Sequence, residues 1–251
     1  MKTNELKTCD GKELLEMKFP DRSDCVKDFI PPGVGIFGGT PYSGKDWILL
    51  DICANIARGE LLWDMKTEQG TVLYITGGKT LRDMQKLMKS VYADGIDNLY
   101  FADEAEKPVE LLCDQIGSFI DKHSDTRLIV IDPMMGWTGY NAGDKMITTL
   151  EWVRQMKIFA EKRGVSILLV KNTRNKKAAA DVDCSFVMEE TVDAADYVMF
   201  FSSFGNYGSL IPRGTLTVAA RGRKELNLKF NFDKESGRWI YADPLFGLED
   251  F

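Results

Sequence analysis

The pattern of apolar residues predicts strands and helices that alternate over the first two thirds of the chain. Continuous apolar runs, typical of strands buried on both faces, occupy residues 33–38, 70–77, 98–101, 128–132 and 164–170. Apolar residues recur at helical spacing in the intervening stretches, over residues 47–57, 80–93, 111–122 and 145–163. This alternation favours a parallel sheet covered by helices.

The last third of the chain has a different pattern. Further strands are predicted over residues 195–201, 214–219, 226–232 and 238–241, and several alternate apolar and polar residues as antiparallel strands with one wet face do. We therefore predict an α/β fold whose mainly parallel central sheet is flanked by helices and extended by antiparallel strands at the C-terminal end. No repeat or low-complexity linker divides the chain, which favours a lead-in segment over residues 1–30, a single domain over 31–243 and a tail over 244–251.

The turn after the first predicted strand carries a phosphate-binding pattern. Residues 39–46 follow G-x-x-x-x-G-K-[ST], in which glycines let backbone N–H groups surround phosphates and the lysine reaches the β- and γ-phosphates. The helix that follows would place a bound anion at its N-terminus. A tight strand–helix turn without a ligand is the alternative. The predicted nucleotide-binding residues are Gly39, Thr40, Pro41, Tyr42, Ser43, Gly44, Lys45, Asp46 and Trp47.

The last position of this pattern departs from the rule, because Asp46 stands where a Ser or Thr hydroxyl completes the Mg²⁺ shell. A carboxylate can also bind Mg²⁺ through oxygen, but here it lies where phosphate charge is concentrated. At ~4 Å and an effective dielectric constant of about 20, two like charges repel by roughly 4 kcal/mol. The same residues therefore predict a nucleotide-binding fold and altered chemistry.

A second carboxylate follows a buried strand. Residues 128–131 are apolar and Asp132 ends the run, which is the form of a Walker B strand that brings one carboxylate beside the phosphate-binding loop. Asp46 and Asp132 are the predicted Mg²⁺ ligands. The alternative for Asp132 is a turn or helix-cap residue after a buried strand.

Composition narrows the class of protein. The chain has 251 residues, of which 44% are hydrophobic and 28% charged, as in globular proteins. Its net charge of −6 argues against a protein that coats duplex DNA, although basic clusters at residues 171–177 and 221–224 are either solvated loops or part of a local basic channel. With one His and five scattered Cys, reduced thiols are expected rather than a metal site. The absence of a long apolar run and of an N-terminal signal pattern predicts a cytoplasmic protein with no membrane partner.

The order of these motifs resembles the RecA-like P-loop ATPases of the RepA/DnaB type, the hexameric replicative helicases of plasmids and phages. The resemblance runs from Leu14 to Tyr241 and is carried by residues 14–20, the loop and helix up to Gly59, residues 70–74, 128–132 and 165–174, and the closing segments 194–196, 221–223, 226–232 and 237–239. It implies a RecA-like fold, ATP and Mg²⁺ as cofactors, and a homo-oligomeric ring that is a hexamer in the family.

The resemblance also implies roles for particular residues. Lys45 and Asp132 are the implied catalytic residues, and Arg221 and Arg223 would act on the nucleotide of a neighbouring subunit if a ring forms. Single-stranded DNA would be bound through its phosphates by four basic residues. These are Lys171, Arg174, Lys176 and Lys177.

Three positions depart from the family pattern. The Glu that activates the attacking water falls on Gly78, the loop hydroxyl is Asp46, and the sensor histidine is replaced by Lys171 or Asn172. Loss of a water-positioning group weakens hydrolysis while leaving binding intact. Asp103, Glu104 or Glu106 could supply the missing carboxylate, and Lys79 could place a positive charge near the γ-phosphate. The alternative is that these residues are solvated loop charges.

Three functions are consistent with these residues. The first is an ATP-driven hexameric helicase or translocase in plasmid, phage or mobile-element DNA replication. The second is a nucleotide-binding switch or assembly subunit that hydrolyses little, and the third is a scaffold that has lost nucleotide. We expect an ATP-binding protein of the RepA type with weakened hydrolysis; the alternative is a catalytically silent binder or scaffold.

Overall fold

The computed structural model describes residues 8–18, 23–39, 43–92, 95–134, 148–172, 194–204 and 213–242. Within these ranges helices and strands alternate as far as residue 172, and strands follow. The elements are α1 (Gly11–Glu16), β1 (Gly33–Gly39), α2 (Lys45–Arg58), β2 (Thr71–Thr76), α3 (Leu81–Val91), β3 (Leu99–Ala102), α4 (Val109–Lys122), β4 (Thr126–Asp132), α5 (Thr149–Arg163), β5 (Ser166–Asn172), β6 (Tyr197–Phe204), β7 (Arg213–Ala220), β8 (Leu226–Asp233) and β9 (Arg238–Ala242).

All nine of these strands form one sheet in the order β3-β2-β4-β5-β1-β6-β7-β8-β9. The six strands from β3 to β6 in this order pair in parallel, and β6 to β9 pair antiparallel. The predicted α/β fold, with its mainly parallel sheet and antiparallel C-terminal end, is therefore confirmed. Because Gly39 pairs with Asn172 and Thr76 with Asp132, the C-terminal ends of β1, β5, β2 and β4 lie at one edge.

The core lies on both faces of the parallel strands, since β1 and β2 are buried along their whole length. On one face Phe37 and Tyr74 pack with α2, which is apolar nearly all round and correspondingly buried. On the other face Ile131 packs with Leu112 of α4 and Trp152 of α5. None of the helices in the described part of the chain is long and apolar enough to cross a bilayer.

The described residues before β1 differ in burial. The helix α1 buries no residue, whereas Val26, Phe29 and Ile30 are almost inaccessible and belong to the core on the α2 side. Trp63 packs edge-on against both Phe29 and Phe230 of β8. The antiparallel strands, the segment at residues 25–30 and the α2 side of the sheet thus share one core.

Candidate functional site

A cleft of about 540 Å³ opens at the C-terminal edge of the parallel strands. It collects residues from the loop before α2, the turn after β2, and the ends of β4 and β5. The lining residues are Gly44, Lys45, Asp46, Trp47, Gly78, Lys79, Leu87, Asp132, Pro133 and Asn172. The predicted nucleotide-binding residues 44–47 therefore meet Asp132, a predicted metal ligand, and Gly78, the position of the missing Glu, in one cleft.

The described end of the phosphate-binding pattern lies at the N-terminus of α2. Gly44 has φ 81°, a left-handed conformation that favours glycine, and a Cβ there would lie 2.2 Å from Trp239 Nε1. Lys45 follows as the first helical residue and is nearly buried. Gly39 ends β1 close to the Lys45 side chain. Thr40, Pro41 and Tyr42 lie outside the described residues.

Support for this loop comes from the far end of the chain. The Trp239 indole N–H of β9 donates to the Ser43 carbonyl oxygen at 3.2 Å. Next to it, Arg238 Nη2 lies 2.9 Å from Asp51 Oδ1 on α2. Sequence reasoning missed both contacts, because a Trp and an Arg in an alternating strand carry no local signal of what they pack against.

Asp132 ends β4 and is only 4% exposed. The Tyr74 hydroxyl donates to Asp132 Oδ2 at 2.6 Å. Burial, and then the charge of Asp132, raises the pKa of Tyr74 well above its ordinary value. The phenol is therefore a permanent hydrogen-bond donor to this carboxylate.

Lys79 joins the two carboxylates that were predicted to hold a metal. Its Nζ lies 3.0 Å from Asp132 Oδ2 and 3.2 Å from Asp46 Oδ2. Partial burial opposes the charge of Lys79, but the neighbouring charges and hydrogen bonds of Asp132 and Asp46 outweigh it, so the pKa of Lys79 lies above its ordinary value. Lys45 Nζ is farther from Asp46, at 3.8 Å.

The fit of this site to a divalent cation is decided by Lys79. An oxygen-ligand site for Mg²⁺ needs carboxylate oxygens that are free to bind the ion, and here the ammonium group takes one oxygen of each carboxylate. The described residues contain no group of three or more His, Cys, Asp or Glu side chains that converge as a metal site. The other Asp46 oxygen, Oδ1, has no hydrogen-bond partner within the described part of the chain, but a Mg²⁺ ion bound there would lie beside the positive charge of Lys79. As they are arranged, Asp46 and Asp132 therefore fit Mg²⁺ poorly.

The cleft contains no substitute for the missing water-activating Glu among the described residues. Gly78 lies on an exposed turn, and a Cβ there would meet Pro133 Cδ at 3.2 Å. Asp103 instead accepts the Leu81 backbone N–H at the start of α3, and Glu104 lines a separate cavity beside α4. Glu106 likewise follows β3, outside the lining of the cleft.

Among the residues predicted to act on DNA or on a neighbouring subunit, the structure describes Lys171, Arg221 and Arg223, and none of these three lines the cleft. Lys171 is half-buried near the end of β5, and Arg174, Lys176 and Lys177 lie outside the described residues. Arg223 makes two hydrogen bonds with Asp24 of its own chain, at 2.7 and 2.8 Å. The Arg221 backbone N–H donates to the Asp196 carbonyl oxygen.

Comparison with known proteins agrees with the fold and the cleft. The family model described as an AAA domain matches residues 3–178, which is well over half of the chain. A comparison with curated proteins gave no match. The matched segment runs from the lead-in through the phosphate-binding loop, the Lys79 turn and β4 to β5. The chain therefore belongs to the AAA domain family of P-loop ATPases.

Proposed function

We propose that this chain binds a nucleoside triphosphate, ATP, in the P-loop cleft and hydrolyses it slowly or not at all. One observation carries the proposal. The cleft keeps Gly44 in its left-handed conformation and Lys45 at the N-terminus of α2, and it is lined by Gly78, the position at which the family resemblance implies a water-activating Glu.

Binding is supported by the electrostatics of the helix terminus. The first turn of α2 has backbone N–H groups without helical partners, and the helix dipole favours an anion there. Lys45 adds a positive charge at the same point, and Lys79 offsets the negative charge of Asp46. The cleft thus has donors for phosphate oxygens despite the acidic residue.

Slow hydrolysis follows from what surrounds the phosphate position. General-base assistance is typically worth ~10²–10⁴-fold in rate. In the described part of the cleft the carboxylates are Asp46 and Asp132, and each is paired with Lys79. Lys79 therefore holds one oxygen of each carboxylate, and Gly78 brings no carboxylate of its own to position an attacking water.

The direct test is recovery of bound nucleotide. The chain is incubated with labelled ATP, separated from free nucleotide, and the bound label is identified after an hour. The proposal expects intact ATP on the wild-type chain and none on a Lys45→Ala variant. Rapid conversion to ADP would contradict slow hydrolysis, and absence of label on the wild-type chain would contradict binding.

A second candidate is the replicative helicase or translocase of the RepA/DnaB type, acting as a homo-hexameric ring in plasmid, phage or mobile-element replication. The observation that favours it is Asn172, which lines the cleft and is the second residue of the basic segment at residues 171–177. A basic segment that begins at the nucleotide site would couple nucleotide state to a phosphate backbone.

Single-stranded DNA binding and molecular mass test this second candidate. It predicts salt-dependent binding of an oligonucleotide that falls in Lys171→Ala and Lys177→Ala variants, and a hexamer in the presence of ATP. A monomeric chain whose oligonucleotide binding is unchanged in both variants would contradict the helicase candidate. Nucleotide binding would then be the remaining function.

A further inference from the structure

Lys79 stands on a fixed turn rather than a loose loop. Its backbone N–H donates to Thr76 Oγ1 at 3.0 Å, and the Thr76 hydroxyl donates back to the Lys79 carbonyl oxygen at 2.9 Å. Thr76 itself is buried at the end of β2. The Gly77 N–H also donates to the Asp132 carbonyl oxygen, so the turn is joined to β4. The backbone position of Lys79 is therefore fixed by hydrogen bonds to Thr76 and by the link between the turn and β4.

The ammonium group lies where this turn directs it, between the two acidic side chains of the cleft. It is 3.0 Å from Asp132 Oδ2 and 3.2 Å from Asp46 Oδ2, which are hydrogen-bond distances to a cation. The same Asp132 oxygen also accepts the Tyr74 hydroxyl, so a buried donor and a half-buried cation share one oxygen.

The negative charge that Asp46 adds to the P-loop pattern is thus offset by the positive charge of Lys79. A hydroxyl at position 46 would bring no charge and would share a divalent cation with Asp132. Asp46 instead brings a negative charge, and Lys79 brings a positive charge that contacts both carboxylates. A metal ion entering here would either displace Lys79 or bind the remaining carboxylate oxygens beside its positive charge.

We propose that the Lys79 ammonium takes the place of the divalent cation, so that this cleft binds the metal-free polyphosphate of a nucleotide. The inference rests on the proposed nucleotide binding. Lys45 and Lys79 then face the phosphates from two sides, from α2 and from the β2 turn. The metal complex of the nucleotide is the poorer ligand, because its cation would meet both ammonium groups.

Calorimetric titration of the wild-type chain with ATP, in EDTA and in excess Mg²⁺, tests this inference. ATP is expected to bind at least about threefold more tightly in EDTA than in excess Mg²⁺. A smaller preference for EDTA, or tighter binding in Mg²⁺, would overturn the inference and leave nucleotide binding intact. Absence of binding in both buffers would overturn the proposed function, and the inference with it.

A Lys79→Met variant, with Lys89→Met as its matched control on exposed α3, adds a second measurement. Removing the ammonium frees both carboxylates, so ATP binding by Lys79→Met should fall more than about tenfold in EDTA and recover in Mg²⁺. Lys89→Met should match the wild-type chain in both buffers. ATP binding by Lys79→Met that stays tight in EDTA would overturn the inference.

Direct metal binding completes the test without nucleotide. Mn²⁺ titrated into the wild-type chain and followed by electron paramagnetic resonance should stay free, whereas Lys79→Met should bind it. Mn²⁺ bound by the wild-type chain at this site would overturn the inference. If Lys79→Met fails to fold, as circular dichroism would show, the two wild-type measurements still decide.

Discussion

The Asp132 carboxylate shows how much one buried charge depends on its donors. At 4% exposure it receives the Tyr74 hydroxyl at 2.6 Å and the Lys79 ammonium at 3.0 Å on the same oxygen. A buried carboxylate that loses a donor keeps its desolvation cost without the compensating bond. The strength of this network can therefore be measured by removing one hydroxyl.

Tyr74→Phe is expected to lower the free energy of unfolding by ~1.5–3 kcal/mol, because the ring stays in the core while a hydrogen bond to a charged group is lost. Urea unfolding measures the change. Tyr100→Phe is the control, since the Tyr100 side chain is more than a third exposed on β3. Equal effects of the two substitutions would contradict a special role for the Tyr74–Asp132 bond.

A second residue pair gives the protein an acid-dependent contribution to stability. Burial opposes the charge of Asp24, but its hydrogen bonds with Arg223 and the Asp28 N–H outweigh this, so the pKa of Asp24 lies below its ordinary value of 3.8. A lowered carboxyl pKa stabilises the folded state above 3.8, and the contribution is lost as the pH falls through the folded-state pKa.

Arg223→Gln should therefore be less stable than the wild-type chain by about 1 kcal/mol at pH 6, with the difference shrinking as the pH drops below 3.8. Urea unfolding between pH 2.5 and about 6 measures it. The same substitution in an Asp24→Asn background should show no such pH dependence. A difference that persists unchanged in acid would contradict the pairing.

At the scale of elements, the pairing of β1 with β6 requires a glycine at position 35. Gly35 of β1 is the register partner of Tyr197 of β6, and a Cβ on Gly35 would lie 2.1 Å from the Tyr197 ring. Tyr197 is buried and cannot swing into solvent. The Tyr197 ring thus leaves room only for glycine at position 35 of β1, the strand that leads to the phosphate-binding loop.

Gly35→Ala is expected to cost ~1–3 kcal/mol in the free energy of unfolding, because overpacking forces the ring or the strand to move. Thermal and urea unfolding measure the loss. Gly11→Ala is the control, since a Cβ on Gly11 in exposed α1 would meet nothing within 4 Å. A neutral Gly35→Ala would show that the Tyr197 ring has room to shift.

The elements themselves could be predicted from the sequence, whereas their contacts could not. Apolar runs such as 128–132 and helical spacing such as 145–163 depend on local periodicity, and the observed β4 and α5 fall within a few residues of them. P-loop spacing also predicted that Lys45, Asp46 and Asp132 would meet. The position of Lys79 between two carboxylates depends on how β2, α2 and β4 pack, which no local pattern records.

At the scale of the whole molecule, the antiparallel strands are tied to the P-loop side of the sheet. Trp239 of β9 contacts Ser43, Arg238 of β9 pairs with Asp51 of α2, and Phe230 of β8 packs with Trp63. These strands lie beyond residue 178, where the family match ends. We therefore predict that residues 31–243 unfold as one unit.

Urea unfolding followed both by tryptophan fluorescence and by far-ultraviolet circular dichroism should give coincident transitions, because the core on the α2 side includes residues from α2, β2, β8 and β9. A chain truncated after residue 204 should lose both this transition and nucleotide binding. A separate early transition of the antiparallel strands, with ATP still bound, would contradict a single unit.

The most direct test of the account is an ATP titration by calorimetry on the wild-type chain and on Lys45→Ala, with exposed Lys12→Ala as the control. The wild-type and control chains are expected to bind ATP with a dissociation constant on the order of 1 μM. Lys45→Ala should bind it roughly 10–150-fold more weakly, the worth of a hydrogen bond to a charged group. No binding by the wild-type chain, or equal affinity in Lys45→Ala, would contradict a working phosphate-binding loop.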